Sequence, residues 1–179
     1  MKFYTADSHF GHANVIKHDQ RPFSNVDEMD RILIQNWNSR VTNKDDVYID
    51  GDLIFRSDKE PEWYLKQLNG RKHFIIGNHD DIILKSDKAL SYFETVDKMM
   101  HVVDGKNHIC ICHFPIAEWN GFYKDHYHIY AHIHNNTNEV YYFMKKYDRA
   151  LNAGCMINNY MPVTFEELVI NNRFFKENN

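Results

Sequence analysis

The sequence predicts an α/β fold with polar groups gathered where its strands end, and three observations lead there. The apolar run Phe74-Ile75-Ile76 enters Gly77-Asn78-His79-Asp80 and leaves through Ile82-Ile83-Leu84. That pattern is a buried strand, a tight polar turn and the start of a helix, and open α/β sheets bind ligands at that edge. Other short apolar runs also end in polar groups, as Val47-Tyr48-Ile49 does at Asp50-Gly51-Asp52. Between such runs lie Met29, Ile32, Leu33, Trp37 and Val41 at helical spacing. Asn78 offers an amide oxygen, His79 a titratable ring and Asp80 a carboxylate. The competing reading is a polar turn that caps the next helix, with Asn78 as N-cap.

The elements follow in order. Residues 2–6 read as a strand, because Phe3, Tyr4 and Thr5 favour extended backbone. Asp7 and His9 follow, two apart, so in extended backbone they share a face. Gly11-His12-Ala13-Asn14 turns into a short helix near 15–18, which Arg21-Pro22 breaks. Asn25 and Glu28 are three apart, as in a capping box, and open a helix over about 27–40. A strand at 47–49 precedes a helix over roughly 60–69, with Pro61 in its first turn and Asn69-Gly70 at its end. Residues 73–77 form the strand described first. Strand-like runs at 96–104 and 107–112 flank the hairpin signal Asp104-Gly105-Lys106-Asn107. The second run ends at His113-Phe114-Pro115, and a strand at 127–131 ends at His132-Ile133-His134-Asn135. Residues 141–144 and 150–155 read as strands. Residues 164–169 read as a closing helix boxed by Thr164 and Glu167, with a frayed tail at 176–179.

Length and composition bound the function. A chain of 179 residues predicts one domain spanning 1–179. Hydrophobic residues at 43% and charged residues at 26% are ordinary for a soluble globular protein. A net charge of -4 argues against an extended nucleic-acid surface, which needs a basic face. Twelve histidines stand out, since histidine is the commonest metal ligand and the usual acid/base group near neutral pH. Cys110, Cys112 and Cys155 form no paired framework, so reduced thiols in a cytoplasm are expected. Cys110-x-Cys112 reads as two small apolar side chains on one face of a strand. No signal peptide is evident, and no apolar stretch approaches the length of a membrane span.

Metal-competent groups therefore recur at predicted strand ends: Asp7 and His9, Asp52, Asn78 and His79, His113, and His132 with His134. Each alone reads as a turn residue or a satisfied histidine. Together they share one topological location. Carboxylate, amide oxygen and imidazole suit borderline-to-hard divalent metals, and no thiolate is among them.

In order and rough spacing, Asp7-x-His9, Gly51-Asp52, Gly77-Asn78-His79-Asp80, His113 and His132-x-His134 resemble the signatures of the calcineurin-like metallophosphoesterases. The signatures run from residue 7 to residue 134. Small bacterial and phage-type members look similar over Asp7 to Pro22. The resemblance implies a four-layer α/β sandwich of two mixed sheets flanked by helices, with a dinuclear metal site on one edge. It implies that Asp7, His9 and His134 hold one divalent ion and that Asn78, His113 and His132 hold the other. Asp52 bridges them and His79 acts on the leaving oxygen without ligating. Manganese is the first expectation for the metals, with iron, zinc and nickel as alternatives. A hydroxide bridging the two ions would be the nucleophile.

Two departures stand out. The phosphoprotein-phosphatase branch has a second Asp, orienting the catalytic histidine, where this chain has Phe55; Asp80 or Asp50 could supply the partner. The residue before the last histidine pair is usually Gly in the family and is Ala131 here. Arg56 matches that branch's phosphate-binding Arg, and Arg21, His12 and Asn14 lie close to the first motif. These are candidate substrate contacts, weighed against a surface Arg and a helix-capping Asn. His18, His73, His101, His108, His126 and His128 take no role.

The functional expectation is a phosphoesterase acting on a small phosphodiester, nucleotide-like. A phosphomonoesterase, a nuclease acting on strand ends and a non-catalytic scaffold of the same fold are the alternatives. No membrane partner is expected, and the oligomeric state is not legible.

Overall fold

Each strand sorts alternate side chains onto opposite faces, and that alternation builds the layers. The computed structural model describes all residues from Met1 to Asn179. Strands β1 (Lys2–Thr5), β2 (Asp46–Asp50), β3 (Arg71–Ile75) and β4 (Phe93–Asp97) pair in that order, every neighbour parallel. A second sheet pairs β5 (Met100–Asp104), β6 (Asn107–Ile111), β7 (Tyr127–Tyr130) and β8 (Ala150–Asn152). Only β5 and β6 run antiparallel, through the predicted Asp104–Asn107 hairpin. Two mixed sheets were expected, and the first is purely parallel. Its strands are joined through helices that return the chain to the same end: α1 (Ala13–His18) and α2 (Val26–Arg40), then α3 (Pro61–Leu65), then α4 (Asp81–Leu84) and α5 (Asp87–Leu90).

Three apolar clusters separate four layers. Phe3, Val47, Ile49 and Phe74 face Met29, Leu33 and Trp37 of α2 and Tyr64 and Leu65 of α3. One residue on, Tyr4 and Ile75 face Val102, Ile109, Ile111, Ile129 and Leu151 across the gap between the sheets. On the far face of the second sheet, Cys110, Tyr130 and Ala150 meet Trp119, Tyr141 and Met144. Burying a large apolar side chain stabilises the fold by about 1.5–3 kcal/mol, so the alternation is strongly specified. No helix is long and apolar enough to cross a membrane.

Helix α2 starts where Asn25 Oδ1 accepts the Glu28 N–H at 2.9 Å; the Glu28 carboxylate accepts from Ser24 N rather than from Asn25. Helix α7 (Phe165–Asn178) opens with the full Thr164/Glu167 capping box. It continues through the tail expected to fray, because Lys176 Nζ donates to the carbonyls of Tyr147 and Ala150, each at 2.8 Å.

Other differences have physical causes. The run at 96–104 is divided, since β4 ends at Asp97 and β5 begins at Met100 in the other sheet. Residues 141–144 belong to a helix, α6 (Glu139–Met144), not to a strand. Asn138 caps it, accepting the Tyr141 N–H at 3.0 Å, and Tyr141 and Met144, one turn apart, are buried against Trp119. The strand expected over 150–155 stops at Asn152 and yields to a 3₁₀ turn, Cys155–Asn158. Ala131 is fully buried in the inter-sheet core.

Candidate metal centre

The strand ends turn with left-handed backbone. Asp7 (φ 52°), His9 (51°), Asp52 (51°), Arg56 (50°), His132 (71°) and His134 (53°) all have positive φ. Asp7 and His9 therefore do not share a face of extended strand: β1 stops at Thr5, and two left-handed turns aim both side chains inward. Such backbone costs about 1–2 kcal/mol for a non-glycine residue. Hydrogen bonds between the loops hold it: Asp7 N to Gly51 O (3.1 Å), His9 N to Asp52 O (3.0 Å) and Phe10 N to Leu53 O (2.9 Å).

Ligand atoms of Asp7, His9, Asp52 and His134 all lie within 4.8 Å of one another. His9 Nε2 and His134 Nε2 face each other at 3.2 Å. His134 Nδ1 meets Asp19 Oδ1 at 2.7 Å and His113 Nδ1 meets the Asp50 carbonyl at 2.7 Å. Both acceptors assign the proton to Nδ1 and leave Nε2 as the donor atom for a metal. A second group forms around Asn78 Oδ1, which lies 2.7 Å from His132 Nδ1 and 3.1 Å from His113 Nε2. Asp52 stands between the groups: its Oδ2 is 3.6 Å from His9 Nε2 and 3.6 Å from His113 Nε2. Two facing imidazole nitrogens share one proton at best, whereas a cation satisfies both. This donor set fits divalent ions.

The electrostatics agree. Burial lifts Asp7 to about 6 and lowers His9 to about 3. Burial raises the Asp52 carboxyl, but the His113 hydrogen bond and nearby imidazoles outweigh it and hold it near 2. Burial lowers His113, but the Asp52 hydrogen bond and the charges of Asp7 and Asp50 lift it to about 10. Carboxylate charge in the site is thus balanced by the His113 imidazolium, a role that a bound cation would take over.

His79 stands beside both groups rather than in either. Its backbone N–H donates to Asp52 Oδ1 at 2.9 Å, and its ring packs on Phe55 with centroids 4.1 Å apart. Phe55 thus occupies the flank where the resemblance places an orienting carboxylate. Asp80 does not orient His79. It is buried and accepts from Gly77 N (2.7 Å), Asp52 N (2.9 Å) and Leu53 N (3.0 Å), joining two motif loops. Nor does Asp50, whose buried carboxyl oxygens have no hydrogen-bond partner; burial raises its pKa well above the usual carboxylate range.

A cavity of about 480 Å³ opens over this cluster, lined in part by His12, Asn14, His18, Phe55, Arg56 and Asn136. Arg56 stacks on Phe55, its guanidinium carbon 5.0 Å from the ring centre. Asn14 lies inside α1, whose N-cap is His12. Arg21 does not reach the cavity. Its side chain is fully buried and donates to Asp19 Oδ2 (2.8 and 3.0 Å), Ser8 O (2.8 Å) and Asp7 O (2.8 Å). Asp19, which holds the His134 ring, is the site residue that sequence reasoning missed. An acid just past a short helix reads as an ordinary end residue, and only the fold brings it to His134. His128 is a satisfied core histidine, bonded to Cys110 O and Ile116 N.

No family model matches the chain. A protein of unknown function from Aquifex aeolicus, AQ665, superposes over 93% of this chain and 96% of its own at a TM-score of 0.72 and 23% identity, and so shares the fold. The Gene 66 protein of Mycobacterium phage D29 is 30% identical over 128 residues, 63% of each chain. Uncharacterized protein MJ1445 of Methanocaldococcus jannaschii is 36% identical over 169 residues, 93% of this chain and 88% of its own. At that identity and coverage, this chain belongs to the family of MJ1445.

Proposed function

We propose that this protein is a metal-dependent phosphoesterase that hydrolyses a small phosphodiester, nucleotide-like in size. The observation that carries the reading is Asp52 Oδ2, equidistant at 3.6 Å from an imidazole of each ligand group. One carboxylate placed between two donor sets is what two neighbouring cations need, because it offsets their repulsion. Asp7, His9 and His134 would hold one ion and Asn78, His113 and His132 the other, with manganese the first candidate for both. Bound ions would polarise the phosphoryl oxygens and supply a deprotonated water near neutral pH.

The chain's own groups do the rest. Arg56 and His12, on the cavity wall, bind the phosphate oxygens. The His79 ring gives a proton to the leaving oxygen, and Phe55 holds that ring in place. A cavity of about 480 Å³ suits a nucleotide-sized ester. The net charge of -4 supports a small ester over a long strand. Free Cys110, Cys112 and Cys155 support a cytoplasmic setting.

The test is hydrolysis of a bis-aryl phosphodiester and an aryl phosphomonoester by manganese-loaded protein, with metal analysis. About two ions per chain and faster diester turnover are expected. Faster monoester turnover would reassign the substrate, and no turnover of either by folded, metal-loaded protein would end the enzyme claim.

A further inference from the structure

The geometry points to Asp19, backed by Arg21, as a positioning residue that pre-sets one of the two metal positions and leaves the other untouched. This inference rests on the metal-centre reading above. Asp19 closes α1 and is buried. Its Oδ1 holds His134 Nδ1 at 2.7 Å, so the ring presents Nε2 toward His9 and Asp7. Its other oxygen is gripped by Arg21 through two nitrogens, at 2.8 and 3.0 Å. The same guanidinium donates to the carbonyls of Asp7 and Ser8, both at 2.8 Å.

One buried ion pair therefore fixes an imidazole ligand from its far side and the backbone that carries Asp7 and His9. All three groups of the first position hang on it. Asn78, His113 and His132 make no hydrogen bond to either residue; the one link across is His132 N, which donates to the Asp7 carboxylate at 3.2 Å. His113 is oriented by the Asp50 carbonyl instead. A carboxylate behind a ligating imidazole fixes its tautomer and strengthens it as a donor, and losing such a partner costs about 10–100-fold in metal affinity.

The test compares the wild type with Asp19→Asn and with the double variant Asp19→Leu/Arg21→Met, which removes both charges and strands neither. Each protein is freed of metal by chelation and titrated with Co²⁺, read by calorimetry and by the visible absorption of the bound ion. His132→Ala marks the second position. In the double variant, affinity at the first position should fall about 10–100-fold with a shifted Co²⁺ band, while the second position keeps its affinity and band. Asp19→Asn retains an acceptor oxygen for His134 and should recover part of the loss.

Wild-type affinities and bands in the folded double variant overturn the inference. So does equal weakening of both positions, which would make the pair merely structural. Should the double variant not fold, Asp19→Asn decides alone: a several-fold loss confined to the first position supports the assignment, and an unchanged curve refutes it. A wild type that binds no metal refutes the hydrolase reading and this inference together. Two bound ions indifferent to Asp19 refute this inference alone.

Discussion

Gly77→Ala probes how the motif loops hold one another. A Cβ at Gly77 would lie 2.4 Å from Asp52 Oδ1, 2.7 Å from Asp52 N and 3.0 Å from Asp80 Oδ2. Ordinary contact begins at 3.4 Å, so the loops must part by 3.4 − 2.4, or about 1 Å. That opening stretches the bonds from His79 N to Asp52 and from Gly77 N to Asp80, now 2.9 and 2.7 Å. Overpacking costs about 1–3 kcal/mol, and each weakened bond to a carboxylate adds about 1 kcal/mol. The sum is about 3–5 kcal/mol, which for a chain this long lowers Tm by about 6–20 °C. If Asp52 bridges two ions as proposed, a displacement of about 1 Å at its carboxylate should also cost on the order of 10²-fold in turnover. Gly105→Ala is the control. Its φ of 58° strains any side chain, but nothing lies within 4 Å. It should cost about 1 kcal/mol and leave metal binding unchanged. Calorimetric melting and diester turnover of both variants provide the readout. A Gly77→Ala protein that melts with the wild type and keeps its metals would refute the steric argument.

Other substitutions separate the roles at the site. Asp52→Asn should empty both metal positions and abolish turnover, whereas His79→Ala should keep both ions and lose about 10²–10⁴-fold in kcat; metal analysis beside kinetics tells them apart, and an emptied position in His79→Ala would reassign that ring. Phe55→Ala frees the His79 ring and should lower kcat by about tenfold with metal content intact, while an unchanged kcat would show that the ring needs no support from Phe55. His113, lifted to about 10 in the metal-free protein, is protonated at pH 7 and must lose that proton to ligate. Metal uptake at pH 7 should therefore release protons, and affinity should weaken as pH falls. Calorimetry in two buffers of different ionisation enthalpy measures the release, and no net release would contradict the assignment of His113 as a ligand.

The layers were legible because strand alternation and helical spacing are local signals. Phe74 and Ile75 point to different clusters simply because they are neighbours on a strand. Tyr141-Tyr142-Phe143 misled because aromatic residues favour strands, yet burial of Tyr141 and Met144 against Trp119 decides for a helix. At the site, the polar side chains that the fold gathers could be named in advance, whereas their backbone could not. Left-handed φ at Asp7, His9, Asp52, His132 and His134 leaves no sequence signal when the residue is not glycine. Arg21 reads as a loop cation near a motif, and only its buried bonds to Asp19 and two carbonyls show that it faces inward. Asp80 and Asp50 both looked able to orient His79, and the choice of Phe55 depends on how two distant turns pack.

The left-handed turns under Asp7, His9, Asp52, His132 and His134 also carry a standing torsional cost. Their torsional cost falls on the protein whether or not a cation ever arrives. Glycine at His9 or Asp52 would relieve about 1–2 kcal/mol of it and lose about 0.5–1 kcal/mol to chain entropy, a small net gain in torsional terms. In a protein that never bound a cation, glycine would be the torsionally cheaper residue at both positions.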